Sequence, residues 1–481
     1  MDTKSGKKRV TKRAVWLTIS GVLLVLLIIG GVQAYRVLYK PQSLFTVSTM
    51  KPNTLSTPII TPEPEETSAP TSPASSPSLA TTKPANTPTP TEPVAKEILN
   101  VLLIGIDRTE DGGKSSNGPT DHHADVIMVV AINFKENKVD LISIPRDTFV
   151  HAPEIMNGIY KINGSFNVGG GFEAKNGEGF LKVRDAAQYM LGGIPIDYYY
   201  AVDFKAVEDV VNTIGGVDYD VESSAYTLDG KGGQRHMNGE DVLFYLRVRK
   251  QGPEQGDKNR VNRQKKMMIA ILSQLKKNGK LSMVPDLISA ANSGIYTNTT
   301  IEQTLALVKY ASEIDPNSIG MHSMTGTLLN KAGWAFSFTD QEARTELIRQ
   351  IYGQNVQQQV HCTSRYADWL VNYGFSGMRY LKTGKQLLDY ADQHRNEFTA
   401  EQRTAFDALK TSLADTQTIY DRTSLTLGKN DNNLLASSKK YLKSAVEKLA
   451  KLLDYKEPLK WTYNSSWWND RSINEIPVDF R

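Results

Sequence analysis

The N-terminal end of this chain limits how much of it can fold as a globular domain. Six lysines and arginines within residues 4–13 precede an uncharged, mainly apolar run from Ala14 to Gly31, which continues weakly to Ala34. In a helix, about twenty such residues cross the roughly 30 Å hydrocarbon core of a bilayer. We therefore predict a transmembrane anchor over residues 14–35. Residues 1–13 form a cytoplasmic tail, because flanking positive charge stays on the cytoplasmic side.

A cleaved signal peptide is the alternative, since Val32-Gln33-Ala34 resembles a weak cleavage site. The apolar run is long for a signal peptide and favours the anchor. Residues 36–96 follow as a stalk that is rich in proline, serine and threonine and too poor in apolar residues to fold. The rest of the chain is then expected to lie outside the cell, tethered to the cytoplasmic membrane by a single span.

Charge and cysteine content exclude other classes of protein. The net charge of +4 is small for 481 residues, and no basic stripe interleaved with aromatic residues predicts a nucleic-acid partner. The single cysteine, Cys362, cannot form an intramolecular disulfide and is interpreted as a structural thiol. Stability must therefore come from the burial of a large apolar core.

From residue 97 onward, apolar runs of strand length alternate with amphipathic helical patterns. This alternation predicts an α/β fold with a mixed central sheet layered between helices. Strands are predicted at 98–106, 124–134, 139–144, 198–202 and 217–221, and helices at 180–191, 204–214, 262–277 and 301–311. Further helical patterns at 399–414 and 434–453 predict a helical accessory region over residues 353–481.

Acidic and basic residues stand at the ends of the predicted strands. Asp107 ends the first, Asp125 begins the second, and Pro145-Arg146-Asp147 ends the third. Ligands of such sheets bind at these ends. Each acid alone is explained as well by a helix cap or a surface ion pair. Together with Arg146, Asp107 and Asp125 predict a site for Mg²⁺ or Mn²⁺ beside a phosphate group.

A cluster of arginines between residues 240 and 264 supplies the phosphate-binding chemistry. Arg247 and Arg249 are two apart, so an extended segment directs both to the same side. Arg260, Arg263 and Gln264 are spaced for one face of a helix. Guanidinium groups bind phosphate bidentately and stay charged, and four of them suit a diphosphate. A solvated basic surface is the alternative.

Several common site types are absent from the sequence. His122 and His123 lie near Asp121 and Asp125, but their spacing matches no tetrahedral zinc pattern and no cysteine is nearby. The sequence contains no GxSxG, HExxH or P-loop motif.

Taken together, these segments resemble the LytR-CpsA-Psr family of cell-envelope proteins over residues 97–352. The motifs are NVLLIGID (100–107), ADVIMVVAIN (124–133), VDLISIPRDTFV (139–150), YKINGSF (160–166), IPIDYYYAVDF (194–204), IGGVDYDV (214–221), MNGEDVLFYLRVR (237–249) and DKNRVNRQ (257–264). The anchor and stalk also fit the layout of this family.

The resemblance implies a phosphotransferase that moves a glycopolymer, such as teichoic acid or capsular polysaccharide, from a polyprenyl diphosphate carrier onto peptidoglycan. It implies that Asp107 and Asp125 bind a divalent metal and, with Arg146, take part in catalysis. Diphosphate-binding positions are implied for Arg146, Lys161, Arg247, Arg249, Arg260 and Gln264, with Arg263 adjacent. For the lipid tail we expect an apolar groove along the sheet, with Phe166 and Tyr198 to Tyr200 as candidate lining residues.

One position departs from the family pattern, and two other functions stay open. His123 stands where the family usually has an arginine, two residues before Asp125. Histidine keeps a donor at this diphosphate-binding position but is charged only part of the time near neutral pH. The same residues would also serve a polyprenyl-diphosphate hydrolase, or a wall-binding regulatory protein without catalysis. The aromatic residues of 461–468 either stack on sugars or fold back onto the preceding helices.

Overall fold

In a computed structural model of the protein, the described residues are 44–45, 98–106, 122–156, 161–248, 257–279, 294–331 and 334–461. The predicted tail, the anchor (14–35) and most of the stalk lie outside these ranges, as do Asp107 and Arg249. None of the helices in the described ranges combines the length and apolar character that a membrane span requires.

The described residues contain ten strands, of which the first five are the predicted ones with small shifts at their ends. Their bounds are β1 (Leu99–Ile106), β2 (Ala124–Asn133), β3 (Lys138–Ser143), β4 (Tyr198–Asp203), β5 (Val217–Val221), β6 (Gly233–Met237), β7 (Ile295–Thr297), β8 (Gly320–Ser323), β9 (Gly326–Lys331) and β10 (Trp334–Thr339). Among the described residues, six of them form a sheet in the order β7-β4-β1-β2-β3-β8. Strand β1 runs antiparallel to β2 and parallel to β4, so the prediction of a mixed sheet is confirmed.

Both faces of this sheet are buried, which explains the continuous apolar runs. Along β1, Leu102 and Ile104 belong to the core on one face, and Leu99 and Val101 belong to the core on the other. Successive side chains of a strand point to opposite faces, so a strand buried on both sides needs apolar residues at every position.

Helices cover both faces of the sheet. Their bounds are α1 (Glu178–Met190), α2 (Phe204–Ile214), α3 (Gly239–Arg247), α4 (Asp257–Lys277), α5 (Ile301–Glu313), α6 (Gln341–Tyr352), α7 (Ser364–Trp369), α8 (Phe375–Gln393), α9 (Ala400–Thr426) and α10 (Lys429–Leu452), with single turns at Pro153–Met156 and Ser165–Val168. Helix α2 begins directly after β4, because the Asp203 side chain accepts a hydrogen bond from the Ala206 amide at 2.8 Å. It ends at Gly215, whose φ of +86° favours glycine.

The C-terminal helices share a core with the α/β layer. Phe149, Phe336 and Phe338 from the layer pack in one buried cluster with residues of α7 to α10, such as Trp369 and Leu387. The predicted C-terminal helices are confirmed, and each is longer than predicted. Of the aromatic segment, Trp461 is described, and its ring packs back onto the helices, 5.0 Å from that of Tyr380 on α8. Residues 462–481 lie outside the described residues.

A truncation of Phe149 tests this shared core. Phe149 is fully buried, so Phe149→Ala should lower the free energy of unfolding by about 3–5 kcal/mol, through lost burial and a residual cavity. Urea unfolding of the purified protein measures the change. Tyr441→Ala is the matched control, because Tyr441 is 74% exposed and its loss should change stability by less than about 0.5 kcal/mol. Similar values for the two variants would contradict the shared core.

The core of the sheet also extends beyond residue 352. Cys362 is fully buried in the same cluster as Ile104 and Val129. Burial raises the pKa of the Cys362 thiol to about 11, so it stays protonated and unreactive. This environment agrees with the interpretation of Cys362 as a structural thiol.

Candidate functional site

The strand order brings the predicted site residues to one edge of the sheet. Because β2 is antiparallel to both β1 and β3, its first residues lie beside the last residues of its two neighbours. Ile106 pairs with Ala124, so Asp125 lies at the end of β1. The Pro145-Arg146-Asp147 segment leaves β3 at the same edge. Asp107 follows Ile106 in the chain but lies outside the described residues.

A row of four charges with alternating sign occupies this edge. The Arg146 Nη1 donates to Asp125 Oδ1 at 2.7 Å, and the Arg146 Nε lies 3.7 Å from Asp147 Oδ2. The Lys161 Nζ donates to the other oxygen of Asp147 at 2.9 Å. All four side chains are 12–18% exposed. The structure therefore brings Asp125, Arg146 and Lys161 into one row of charges at this edge.

Arg247 approaches the site from a helix, which corrects one prediction. An extended segment was expected to carry it, but Arg247 is the last residue of α3. Helix α3 forms because Asn238 and Asp241 make a capping box and because Val242 and Tyr245 give it a buried face. The exposed Arg247 guanidinium lies over the Phe204 ring, 4.7 Å from its centre. This cation–π contact holds the side chain above the start of α2.

Helix α4 carries Arg260 and Gln264 on one face, as predicted. This face is polar at the start of the helix and apolar further along. Both residues line a cavity, and Met267, Met268 and Ile271 continue the same lining. These positions recur every three or four residues, so they share one side of the helix. Arg260 is 3% exposed. The helix thus provides cationic and amide groups at one end of the cavity and an apolar wall beyond them.

Arg263 is placed differently from its neighbours on α4. Its guanidinium is 3% exposed and donates to the backbone carbonyls of Tyr245 and Val248. It also lies over the Tyr226 ring, 4.2 Å from the centre. Arg263 therefore holds the end of α3 against α4 and is directed to carbonyl groups, whereas Arg260 and Gln264 line the cavity.

The cavity has a volume of about 690 Å³ and two chemically distinct parts. Its polar part is formed by Asp125, Arg247, Arg260 and Gln264. The remainder is almost entirely apolar and lies between strands β1, β2 and β4 and helices α2, α4 and α5. Representative lining residues are Leu103, Met128, Val202, Val207, Leu307 and Val308. Such a cavity fits a long apolar chain that ends in an anionic group.

The aromatic residues expected to line the lipid groove lie mainly in the core. Phe166 and Tyr199 contact Phe180 with ring centres 5.3 Å apart, and Tyr198 contacts Phe45 on the other face of the sheet. Of the four, Tyr200 lines the cavity. Sequence inspection missed the walls from α4 and α5, although apolar residues continue the Arg260 and Gln264 spacing along α4.

The histidines before β2 differ in their surroundings. His122 is 7% exposed and packs edge-on against Phe172 at 5.2 Å, while His123 is half-buried. Within the ranges that the structure describes, no three side chains of His, Cys, Asp or Glu are grouped so as to hold a metal ion. Of the predicted metal ligands, only Asp125 is described. Its carboxylate oxygens are the ligand type that Mg²⁺ prefers.

The model of the LytR_cpsA_psr family matches residues 68–352, which is more than half of the chain. The chain belongs to this family. The matched range begins within the residues assigned to the stalk and ends at the predicted boundary of the LytR-CpsA-Psr domain.

Relatives in the family carry names that describe their activity. The chain is 30% identical over 243 residues to polyisoprenyl-teichoic acid–peptidoglycan teichoic acid transferase TagV of Bacillus subtilis, a match over 48% of this chain and 58% of TagV. It is 33% identical over 237 residues to the corresponding transferase TagU of Bacillus anthracis, over 47% of this chain and 69% of TagU. The chain therefore spans somewhat over half to about two thirds of the length of these relatives.

Two solved structures are also similar to the chain. The crystal structure of Bacillus subtilis TagV is 26% identical and has a TM-score of 0.41, over 54% of this chain and 97% of the chain in that structure. A structure of TagT bound to LIIa-WTA is 24% identical with a TM-score of 0.42, over 53% of this chain and 91% of the chain in that structure.

Proposed function

We propose that this protein transfers a glycopolymer from a polyprenyl diphosphate carrier onto peptidoglycan, through a phosphodiester bond. The observation that carries the proposal is the 690 Å³ cavity, apolar along most of its length and ended by Asp125, Arg247, Arg260 and Gln264. An apolar cavity with a cationic end matches a lipid chain with a diphosphate head group. The names of TagV and TagU describe the same class of transfer.

The cationic residues bind and activate the diphosphate. Arg247 and Arg260 lie at the cavity end, Arg146 pairs with Asp125, and Lys161 pairs with Asp147. Arg249 and His123 complete the proposed group. Their charges offset those of the diphosphate and stabilise the negative charge that grows on the bridging oxygen as polyprenyl phosphate departs. Stabilisation of this charge is the main source of catalysis in phosphoryl transfer.

Asp125 acts as the general base on the acceptor. A hydroxyl of the peptidoglycan sugar attacks the phosphorus that bears the glycopolymer, its proton passes to Asp125, and polyprenyl phosphate leaves. The 2.7 Å hydrogen bond from Arg146 orients the Asp125 carboxylate for this transfer. Arg146 thereby contacts the base and lies where the phosphate group is expected.

A divalent cation, Mg²⁺ or Mn²⁺, is proposed as the cofactor. Asp125 and Asp107 are the residues that would hold it, since both are carboxylates at the same edge of the sheet in the sequence pattern. When bound, the ion supplies further positive charge to the phosphate oxygens. The anchor over residues 14–35 and the stalk are proposed to keep this site outside the cell and within reach of the membrane.

Purified extracellular protein, incubated with a polyprenyl diphosphate–sugar donor, a peptidoglycan oligomer and Mg²⁺, tests the proposal. Transfer of sugar phosphate to the oligomer is the expected result. Release of free sugar phosphate alone would indicate a hydrolase instead. Binding of the donor without turnover, unchanged by Asp125→Ala, would indicate a non-catalytic wall-binding protein.

Substitution of Arg247 tests the assignment of the cationic end. Arg247→Ala removes a charged bidentate contact and should weaken donor binding by about 1.5–3 kcal/mol. Isothermal titration with a polyprenyl diphosphate measures the change. Arg349→Ala is the matched control, because Arg349 is exposed on α6 and pairs with Glu346. Wild-type affinity in the Arg247 variant would contradict the diphosphate assignment.

A further inference from the structure

Asp147 stands between two of the proposed phosphate-binding cations. One carboxylate oxygen accepts a hydrogen bond from the Lys161 Nζ at 2.9 Å, and the other lies 3.7 Å from the Arg146 Nε. On the far side, Arg146 is held by Asp125 at 2.7 Å. The two cations therefore share one carboxylate, although they come from different segments of the chain.

The backbone around Asp147 is held by bonds that do not involve its side chain. The Asn163 amide donates to the Arg146 carbonyl at 3.2 Å, and the Ile162 amide donates to the Thr148 carbonyl at 3.0 Å. The Asp147 carbonyl accepts from the Ser337 amide of β10 at 2.8 Å. These bonds fix the two segments relative to each other. The carboxylate of Asp147 is the group that contacts both charged ends: that of Arg146, which Asp125 also binds, and that of Lys161, which also lies over the Phe336 ring.

Holding these ends has a physical cost that a carboxylate offsets. Two cations held close together repel each other, and each long side chain loses about 1.5–2 kcal/mol of rotamer freedom when it is ordered. The ion pairs to Asp147 are 15–18% exposed, so water screens them less than it screens pairs on an open surface. A ligand that meets side chains already in place binds without paying for their ordering.

We propose that Asp147 is a positioning residue that sets the spacing of Arg146 and Lys161 for the two phosphates of one diphosphate. This inference rests on the proposed function and deepens it. In the proposed mechanism, Asp147 contacts neither the apolar cavity nor the reacting atoms. The lining of the cavity does not include Asp147.

Removal of the negative charge of Asp147 should change the affinity for a diphosphate. The direction of that change distinguishes a positioning role of Asp147 from a purely electrostatic one. Coulomb attraction alone predicts that loss of a negative charge beside the site strengthens the binding of an anion. Positioning predicts the opposite, because the Arg146 and Lys161 side chains then separate and must be reordered on binding.

The experiment measures binding of a polyprenyl diphosphate by isothermal titration to the extracellular part of the protein. Asp147→Asn should weaken binding about tenfold and raise KM for the donor more than it lowers kcat. Asp147→Glu keeps the charge but moves it by one methylene, and it should also weaken binding. Asp229→Asn is the control, since Asp229 pairs with Arg235 on an exposed segment away from the site.

Thermal unfolding establishes whether the variants are folded. If Asp147→Asn is not folded, the binding measured for Asp147→Glu alone tests the inference. Unchanged or tighter binding in a folded Asp147→Asn variant would overturn the inference, and so would unchanged binding in Asp147→Glu. The proposed function would stand in either case, provided that the wild-type protein binds the polyprenyl diphosphate. Wild-type protein that fails to bind a polyprenyl diphosphate would overturn the proposed function and, with it, the inference.

Discussion

Asp125→Asn should reduce turnover about 10²- to 10⁴-fold, the range expected for loss of a general base. The amide has the same shape as the carboxylate, and its oxygen can still accept the 2.7 Å hydrogen bond from Arg146. It cannot take the proton of the acceptor hydroxyl, however. Donor binding should therefore change much less than kcat. A transfer assay with the polyprenyl diphosphate–sugar donor, together with a binding titration, measures both quantities.

The control for this variant is Asp392→Asn, which removes an exposed carboxylate of α8 near Arg395. It should leave turnover and binding unchanged. Turnover of the Asp125 variant within a factor of about three of wild type would exclude Asp125 as the base. Loss of donor binding together with kcat would instead make substrate or metal binding, and not proton transfer, the main role of Asp125.

Val308→Trp should weaken binding of a long-chain donor about a thousandfold while it preserves binding of the head group. Val308 lines the apolar part of the cavity from α5, together with Thr304, Leu307 and Ala311 on the same side of that helix. An indole at this position occupies space proposed for the lipid. Displacing about five methylene groups of the lipid costs about 4 kcal/mol, or roughly a thousandfold in Kd.

Titration with a long-chain polyprenyl diphosphate and with inorganic diphosphate distinguishes the two parts of the cavity. The head-group ligand should bind both proteins equally, because Arg247 and Arg260 are unchanged. Ile301→Trp is the control, since Ile301 belongs to the same helix but is 63% exposed and does not line the cavity. Undiminished binding of the long-chain donor to the Val308 variant would show that its lipid binds elsewhere.

Much of the fold was predictable from local patterns. Four of the six strands of the central sheet, β1 to β4, follow apolar runs, and α2 begins and ends where Asp203 and Gly215 require. The short edge strands β7 and β8 carry no such run and were not predicted. These signals are local in the chain. The shared core of Phe149, Phe336 and the C-terminal helices was not predictable, because the residues that form it are far apart in the sequence.

The chemistry of the site was predictable in part, because some of its residues are marked by local patterns in the sequence. Acids and arginines at strand ends identified Asp125 and Arg146, and helical spacing identified Arg260 and Gln264. The apolar walls from α4 and α5 were missed, because amphipathic helices give the same pattern whether they face a packed core or a cavity. Helical spacing also failed to show the role of Arg263. Its spacing matches that of Arg260 and Gln264, but its guanidinium donates to backbone carbonyl groups.

The amino-acid sequence alone determined the family, the mixed α/β class and the types of charged group that gather at the sheet edge. Each depends on residue identity and on the order of motifs along the chain. Only the tertiary structure decided that Arg247 leaves from a helix end and that Arg263 faces inward. It also decided that Asp147 joins Arg146 to Lys161. The reason is physical: a side chain's partners are set by packing between distant segments, and the spacing of residues within one segment does not specify them.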